Sequence, residues 1–292
     1  MGWEQDVETA VAAATDAAAD AVVTIGRGSG MVVADGRVVT NAHNLRGDEV
    51  HVRFADGHVG LGTVAGADLR GDLAVVEVDT AGATPVERLD GDVRLGQPVV
   101  ALARPRHRGL VATVGTVATL DARFRGPGGS LVTGAFEHDA RLPRGASGGP
   151  VLDTTGRLLG IDTHRRRDGF YVAISATSEL ARRLDGLADG EVPRRARLGV
   201  AVAPPHVARR LRAAVGLPER EGVLVREVEE GGPADRAGIA GGDLLVAVDG
   251  AALESVDDLH AALAGATGSL ELTVVRGTDE RTVTVEVLDD AA

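Results

Sequence analysis

Short apolar runs broken by Asp-Gly dominate the chain from Ala21 to about Ile174. Met31-Val32-Val33-Ala34 and Arg37-Val38-Val39-Thr40 flank Asp35-Gly36, and His51-Val52-Arg53-Phe54 and the run from His58 flank Asp56-Gly57. Asp-Gly supplies the positive φ that a two-residue hairpin turn needs, so each pair predicts a β-hairpin. Leu73 to Val78 reads as a buried strand, and further strands are predicted at 98–103, 111–119, 131–136, 151–153, 158–163 and 170–174. Short strands at regular spacing predict a barrel or sandwich. Helices are predicted on either side: over the Ala-rich residues 5–20, and over 177–188, where Leu180, Ala181 and Leu184 fall at helical spacing.

The pattern changes after Asp189-Gly190-Glu191-Val192-Pro193-Arg194-Arg195, a polar stretch with a proline that reads as a linker. Beyond it, strands are predicted at 198–202, 222–228, 243–248, 270–275 and 281–287. Helices are predicted at 205–215 and 255–264, the second capped by Ser255. This is the pattern of a small α+β domain. The expected division is a helical segment at 1–20, a mainly β domain at 21–190 and the α+β domain at 191–292.

Composition narrows the chemistry. With 292 residues, 44% of them hydrophobic, the chain can bury two cores. Aromatics are only 2%, so those cores must be aliphatic. The net charge of −12 argues against a nucleic-acid partner, which would need clustered cations. Arg165–Arg167 and Arg194–Arg197 are the exceptions and read as solvated loop and linker charge. The absence of cysteine excludes disulfides, thiolate metal sites and thiol nucleophiles. No H-E-x-x-H run is present to suggest a metalloprotease, and the motifs imply no cofactor and no metal. The N-terminus lacks a basic, then apolar, leader pattern, and no stretch reaches the ~20 apolar residues of a membrane span. A cytoplasmic location is the expectation for the chain as written, or the cell envelope if a natural leader is missing.

Three short motifs carry candidate chemistry. Gly145-Ala146-Ser147-Gly148-Gly149-Pro150 places a serine among glycines, which let the backbone turn two N–H groups toward one point. Such a loop can offer a nucleophile and an oxyanion hole together, although a plain Gly/Ser turn has the same composition. Thr40-Asn41-Ala42-His43 ends an apolar strand with an imidazole, the usual general base at neutral pH. Asp72-Leu73-Ala74-Val75 sets a carboxylate at the mouth of a buried strand, where it could hold the tautomer of that imidazole. Each alone has a structural explanation, and spacing along the chain does not show that the three meet.

The order His, Asp, Ser within these motifs resembles the HtrA/Deg family of chymotrypsin-fold serine proteases. Gly28-Ser29-Gly30-Met31-Val32-Val33 ahead of Arg37-Val38-Val39-Thr40, which resembles the family's first hairpin, Glu137-His138-Asp139-Ala140 before the serine loop and Gly160-Ile161-Asp162-Thr163 after it extend the resemblance, which covers about residues 20 to 288. It implies two six-stranded barrels with a cleft between them. His43, Asp72 and Ser147 would form the triad, the Gly145 and Ser147 N–H groups the oxyanion hole, and Leu142 with Ile161, Asp162 and Thr163 the substrate pocket. The chain departs from the family pattern at Pro143, Arg144 and Ala146, and at Asn44, where an aliphatic residue is usual.

The second domain resembles a PDZ domain. Arg197-Leu198-Gly199-Val200 matches the carboxylate-binding loop, and Gly232-Pro233-Ala234, Ala237-Gly238-Ile239 and Gly242-Asp243 match later turns. The resemblance implies that the N–H groups of Leu198, Gly199 and Val200 take a peptide C-terminus. Leu259 and Leu263 would line its side-chain pocket or, equally, be plain core leucines. Arg197 reads as a linker charge. The implied function is endoproteolysis of unfolded or misfolded protein, with peptide C-termini recognised by the PDZ domain and a homotrimer as the family's common assembly. The alternative is a catalytically idle pseudo-protease acting as a peptide-binding module or holdase.

Overall fold

A computed structural model describes residues 3–88, 91–127, 131–191, 196–266 and 268–289. The chain divides into two compact units, Met1–Pro193 and Arg194–Ala292. Residues 192–195, within the stretch expected to be a linker, lie outside the described residues.

The first unit opens with helix α1 (Trp3–Ala18). Six strands follow: β1 (Val22–Ile25), β2 (Gly28–Ala34), β3 (Arg37–Thr40), β4 (Glu49–Arg53), β5 (Val59–Asp68) and β6 (Leu73–Glu77). They close into a barrel in the order β1-β2-β3-β6-β5-β4. Six more, β7 (Pro98–Ala103), β8 (Val111–Arg125), β9 (Leu131–His138), β10 (Pro150–Leu152), β11 (Leu158–Arg165) and β12 (Tyr171–Ser175), close a second barrel in the order β10-β11-β12-β9-β8-β7. Closure leaves no unpaired edge strand. Both Asp-Gly turns are formed, with Gly36 at φ +73° and Gly57 at φ +91°.

The interior is aliphatic, as the scarcity of aromatics requires. Val22, Val23, Ile25, Met31, Val38, Val39, Leu73 and Val76 are fully buried. Each such side chain contributes about 1.5–3 kcal/mol. Helix α2 (Ser178–Ala188) is capped by Thr177, whose hydroxyl accepts the Leu180 N–H. It packs so closely on β5 that a Cβ at Gly66 would stand 2.4 Å from the Leu187 carbonyl oxygen.

The second unit contains β13 (Ala196–Arg197), β14 (Val200–Ala203), α3 (Pro205–Ala214), β15 (Val223–Val228), α4 (Pro233–Arg236), β16 (Leu244–Val248), β17 (Ala251–Ala252), α5 (Val256–Gly265), β18 (Ser269–Arg276), β19 (Asp279–Glu286) and β20 (Leu288–Asp289). The main sheet runs β14-β15-β16-β18-β19, so β14 is an edge strand. Ser255 caps α5 as expected, its hydroxyl accepting the Asp258 N–H. Arg197 is not a free linker charge. It pairs with Leu288 in the β13–β20 ladder, and its guanidinium forks onto the Glu229 carboxylate at 2.6 and 3.3 Å.

Candidate active site

Strand pairing brings His43 and Asp72 together. β3 lies antiparallel to β6 with Thr40 opposite Ala74. Asp72 therefore stands beside the 3-10 turn Ala42–Asn44 that leaves the end of β3. His43 Nδ1 lies 2.9 Å from Asp72 Oδ1 and 2.8 Å from Oδ2. The His43 backbone N–H donates to Oδ1 at 3.1 Å, and the Thr163 hydroxyl donates to Oδ2 at 2.6 Å. Asp72 is wholly buried at φ +57°, a conformation that Asp tolerates better than most residues. The Asn41 side-chain amide holds its carbonyl at 2.8 Å. A buried carboxylate needs such a set of donors to offset its desolvation. Because a carboxylate only accepts, Nδ1 carries the hydrogen and Nε2 keeps its lone pair.

Ser147 sits on the loop that enters β10. Its glycines are needed where they stand. Gly148 has φ +91°, and a Cβ there would lie 2.1 Å from the Ser29 carbonyl oxygen; one at Gly149 would lie 2.2 Å from the Leu102 carbonyl oxygen. The first barrel holds the loop by its carbonyls. The Ser29 N–H and the Asn44 side-chain amide donate to the Ser147 carbonyl at 2.9 and 2.8 Å, and the Ser29 hydroxyl donates to the Gly145 carbonyl at 2.8 Å. β11 holds its far side, where the Gly148 N–H meets the Asp162 carbonyl at 2.7 Å and the Asp162 N–H meets the Gly149 carbonyl at 2.9 Å. The Gly145 and Ser147 N–H groups have no acceptor among the described residues.

The Ser147 hydroxyl donates to the Thr163 carbonyl at 2.8 Å. No hydrogen bond joins it to His43 among the described residues. Thr163 thus touches both halves of the site: its hydroxyl meets Asp72 and its carbonyl meets Ser147. The sequence motifs point to Thr163 only as pocket wall and give Ser29 no role of its own. Asn44 stands in the sequence as a departure from the family pattern with no evident role. The contacts of Asn44 and Ser29 with Ser147 span more than a hundred residues, and no local pattern announces them.

The pocket residues divide. Leu142 and Ile161 are buried in different apolar clusters. Asp162 is buried, and its carboxyl is pushed above the usual carboxylate range by desolvation, against the opposing pull of His138, His164 and His43. His138 Nε2 lies 3.4 Å from Asp162 Oδ1, and the His138 ring stacks on Tyr171. His164, one residue past Thr163, was not foreseen as part of the site; its ring centroid is 5.8 Å from that of His43.

In the second unit, Gly199 takes φ +71°. The Leu198 and Gly199 carbonyls are occupied by the N–H groups of Ala234 and Glu229, both at 2.9 Å. Val200 opens the edge strand β14. Leu198 and Leu259 are buried in one apolar cluster, against which Val200 and Leu263 pack half-buried.

The trypsin-like peptidase domain family matches residues 28–161, and the PDZ domain family matches residues 224–277. The chain is 33% identical to a putative serine protease HhoA of Synechocystis sp., over 89% of this chain and 70% of that protein. It is 30% identical to a probable periplasmic serine endoprotease, DegP-like, of Halomonas elongata, over 90% of this chain and 56% of that protein. The chain spans about half the length of the DegP-like relatives. Among solved structures, the HtrA-type protease AlgW with a tripeptide superposes with a TM-score of 0.72 at 26% identity, covering 97% of this chain and 98% of that one.

Proposed function

Because the chain belongs to the HtrA/DegP family of serine endoproteases, we propose that it hydrolyses peptide bonds, with His43, Asp72 and Ser147 as its triad. The observation that carries this reading is the buried Asp72 carboxylate on His43 Nδ1, which leaves Nε2 as a base. Ser147 Oγ releases the Thr163 carbonyl by rotation about χ1 and attacks the peptide carbonyl carbon while Nε2 takes its proton. Asp72 stabilises the imidazolium that results. The Gly145 and Ser147 N–H groups receive the developing oxyanion. His43 then protonates the departing amine. Water, deprotonated by the same nitrogen, releases the acyl group from Ser147.

The substrates in this reading are unfolded or misfolded polypeptides. In the PDZ unit the N–H groups of Leu198, Gly199 and Val200 would hold a peptide C-terminus, with the peptide adding to the edge of β14. Amidating the peptide should weaken binding about tenfold or more, since charge-assisted hydrogen bonds are worth roughly 1.5–3 kcal/mol. Equal affinity for acid and amide would remove this role. The periplasmic naming of the DegP-like relatives supports a place in the cell envelope, and the cytoplasmic expectation gains no support from them. Among the described residues no helix is long and apolar enough to cross a membrane.

A second reading has one observation in its favour. The hydrogen bond from Ser147 to Thr163 keeps the hydroxyl off His43, as expected of an idle site. A fluorophosphonate probe separates the two, because only an activated serine reacts. We expect labelling and casein cleavage by the wild type, and neither by Ser147→Ala at an unchanged melting temperature. An unlabelled, folded wild type would establish the idle reading.

A further inference from the structure

We infer that His43 and His164 form an exchangeable binding site for a divalent transition ion, zinc above all, and that occupancy of this site switches the protease off. The sequence motifs imply no metal. The pair arises in the folded unit, where β11 carries His164 to within 5.8 Å of His43, centroid to centroid, with the rings tilted by 35°. Two imidazoles that share one tetrahedral ion stand about 5–6 Å apart by centroid, given metal–nitrogen bonds of about 2.0–2.1 Å.

The hydrogen bonds on the other ring nitrogens carry the inference. A metal-bound imidazole has one nitrogen on the ion and donates the other N–H to a carboxylate or a backbone carbonyl. Both rings already satisfy that rule. His43 Nδ1 is committed to Asp72 at 2.8 Å. His164 Nε2 lies 3.2 Å from the Arg125 carbonyl, which can only accept, so that nitrogen carries the hydrogen. The lone pairs are therefore on His43 Nε2 and His164 Nδ1, and neither has a hydrogen-bond partner among the described residues. The Phe124 ring meets His164 edge-on at 4.8 Å and helps fix its plane. Both histidines are partly exposed, so an ion can reach them.

Among the described residues no group of three or more His, Asp or Glu side chains surrounds a common point, so waters must complete the coordination. Two protein ligands give a micromolar, reversible site rather than a structural one. Imidazole pairs with open positions suit zinc and copper and discriminate against magnesium and calcium, which prefer oxygen. The consequence for catalysis is direct, since an ion on Nε2 occupies the lone pair that would take the Ser147 proton. Only that consequence rests on the protease reading; ion binding does not.

The test is a zinc titration of the full chain by calorimetry in a non-chelating buffer, using wild type, His43→Ala, His164→Ala, His164→Gln and a His51→Ala/His58→Ala control. The wild type and the control should share one micromolar site. The other three variants, checked for an unchanged melting temperature without zinc, should bind at least tenfold more weakly. In parallel, zinc should inhibit casein cleavage by the wild type reversibly, with chelator restoring it, and the half-inhibitory concentration should rise at least tenfold in His164→Gln. Equal zinc affinity in wild type and His164→Gln would overturn the inference. If the wild type cleaves nothing in chelator, the protease reading fails, and the calorimetry still decides the ion site.

Discussion

In the first barrel, His43 and Asp72 are joined at 2.8 Å, and the carboxylate has no exposed surface and four donor contacts from two residues, His43 and Thr163. In the second, Ser147 is held at its carbonyl by Ser29 and Asn44 while its hydroxyl points its hydrogen at Thr163. The base is thus assembled before substrate arrives, whereas the nucleophile has its backbone placed and one torsion still to turn. Burial accounts for the difference. A sequestered carboxylate must satisfy its acceptors within the fold. A serine hydroxyl at a loop surface can exchange one acceptor for another for about 1 kcal/mol.

Damage to the base half should exceed damage to the tether of the nucleophile half. Asp72→Asn removes the acceptor that sets the His43 tautomer, and kcat should fall about 10⁴-fold with the fold retained. Steady-state hydrolysis of a fluorogenic peptide measures this. A loss of less than tenfold would mean that Asp72 does not position the base.

Asn44→Leu removes one of the two donors on the Ser147 carbonyl and leaves it with Ser29 alone. A partly buried hydrogen bond whose acceptor keeps a second donor is worth about 0.5–1.5 kcal/mol, so kcat/KM should fall by about twofold to tenfold, accompanied by a lower melting temperature. If Asn44→Leu were as damaging as Asp72→Asn, the contrast between a finished base and an adjustable nucleophile would collapse.

The smallest effect concerns Asp162, whose backbone clamps the nucleophile loop while its carboxyl is buried. That carboxyl titrates above its unfolded value of 3.8 in the folded protein because of desolvation. The folded state therefore holds the proton longer than the unfolded state, and the wild type loses stability as pH rises from 3.8 through the raised value. Asp162→Asn has no such loss. Its melting temperature relative to wild type should rise as pH is raised from about 4 in scanning calorimetry. A difference independent of pH would show that ionisation of Asp162 is not coupled to folding.

What the sequence disclosed follows the range of the interactions involved. The Asp-Gly turns were legible because two adjacent residues set the hairpin, and Gly36 and Gly57 adopt the expected positive φ. Ser255 was legible as a cap because its partner, Asp258, is three residues away. β8 was foreseen only to Thr119 but continues to Arg125, because repeated register shifts against β9 break the alternation by which a strand is recognised. β1 was not named at all; four consecutive buried residues carry no alternation to distinguish them. In the site, the local motifs around His43, Asp72 and Ser147 were visible. The roles of Ser29, Asn44 and His164 were not, since each depends on strands from both barrels reaching one place.

The acceptor that occupies the Ser147 hydroxyl is a main-chain oxygen, and this has a genetic consequence. Every amino acid presents the same carbonyl at position 163, so no codon change there can delete the acceptor. A library saturating that position would sample the side-chain hydroxyl on Asp72 and leave the other contact in every clone. Variants that release the serine at rest would have to be sought among mutations that shift β11 as a whole, and a screen for unusually active colonies should map to its neighbours rather than to Thr163 itself.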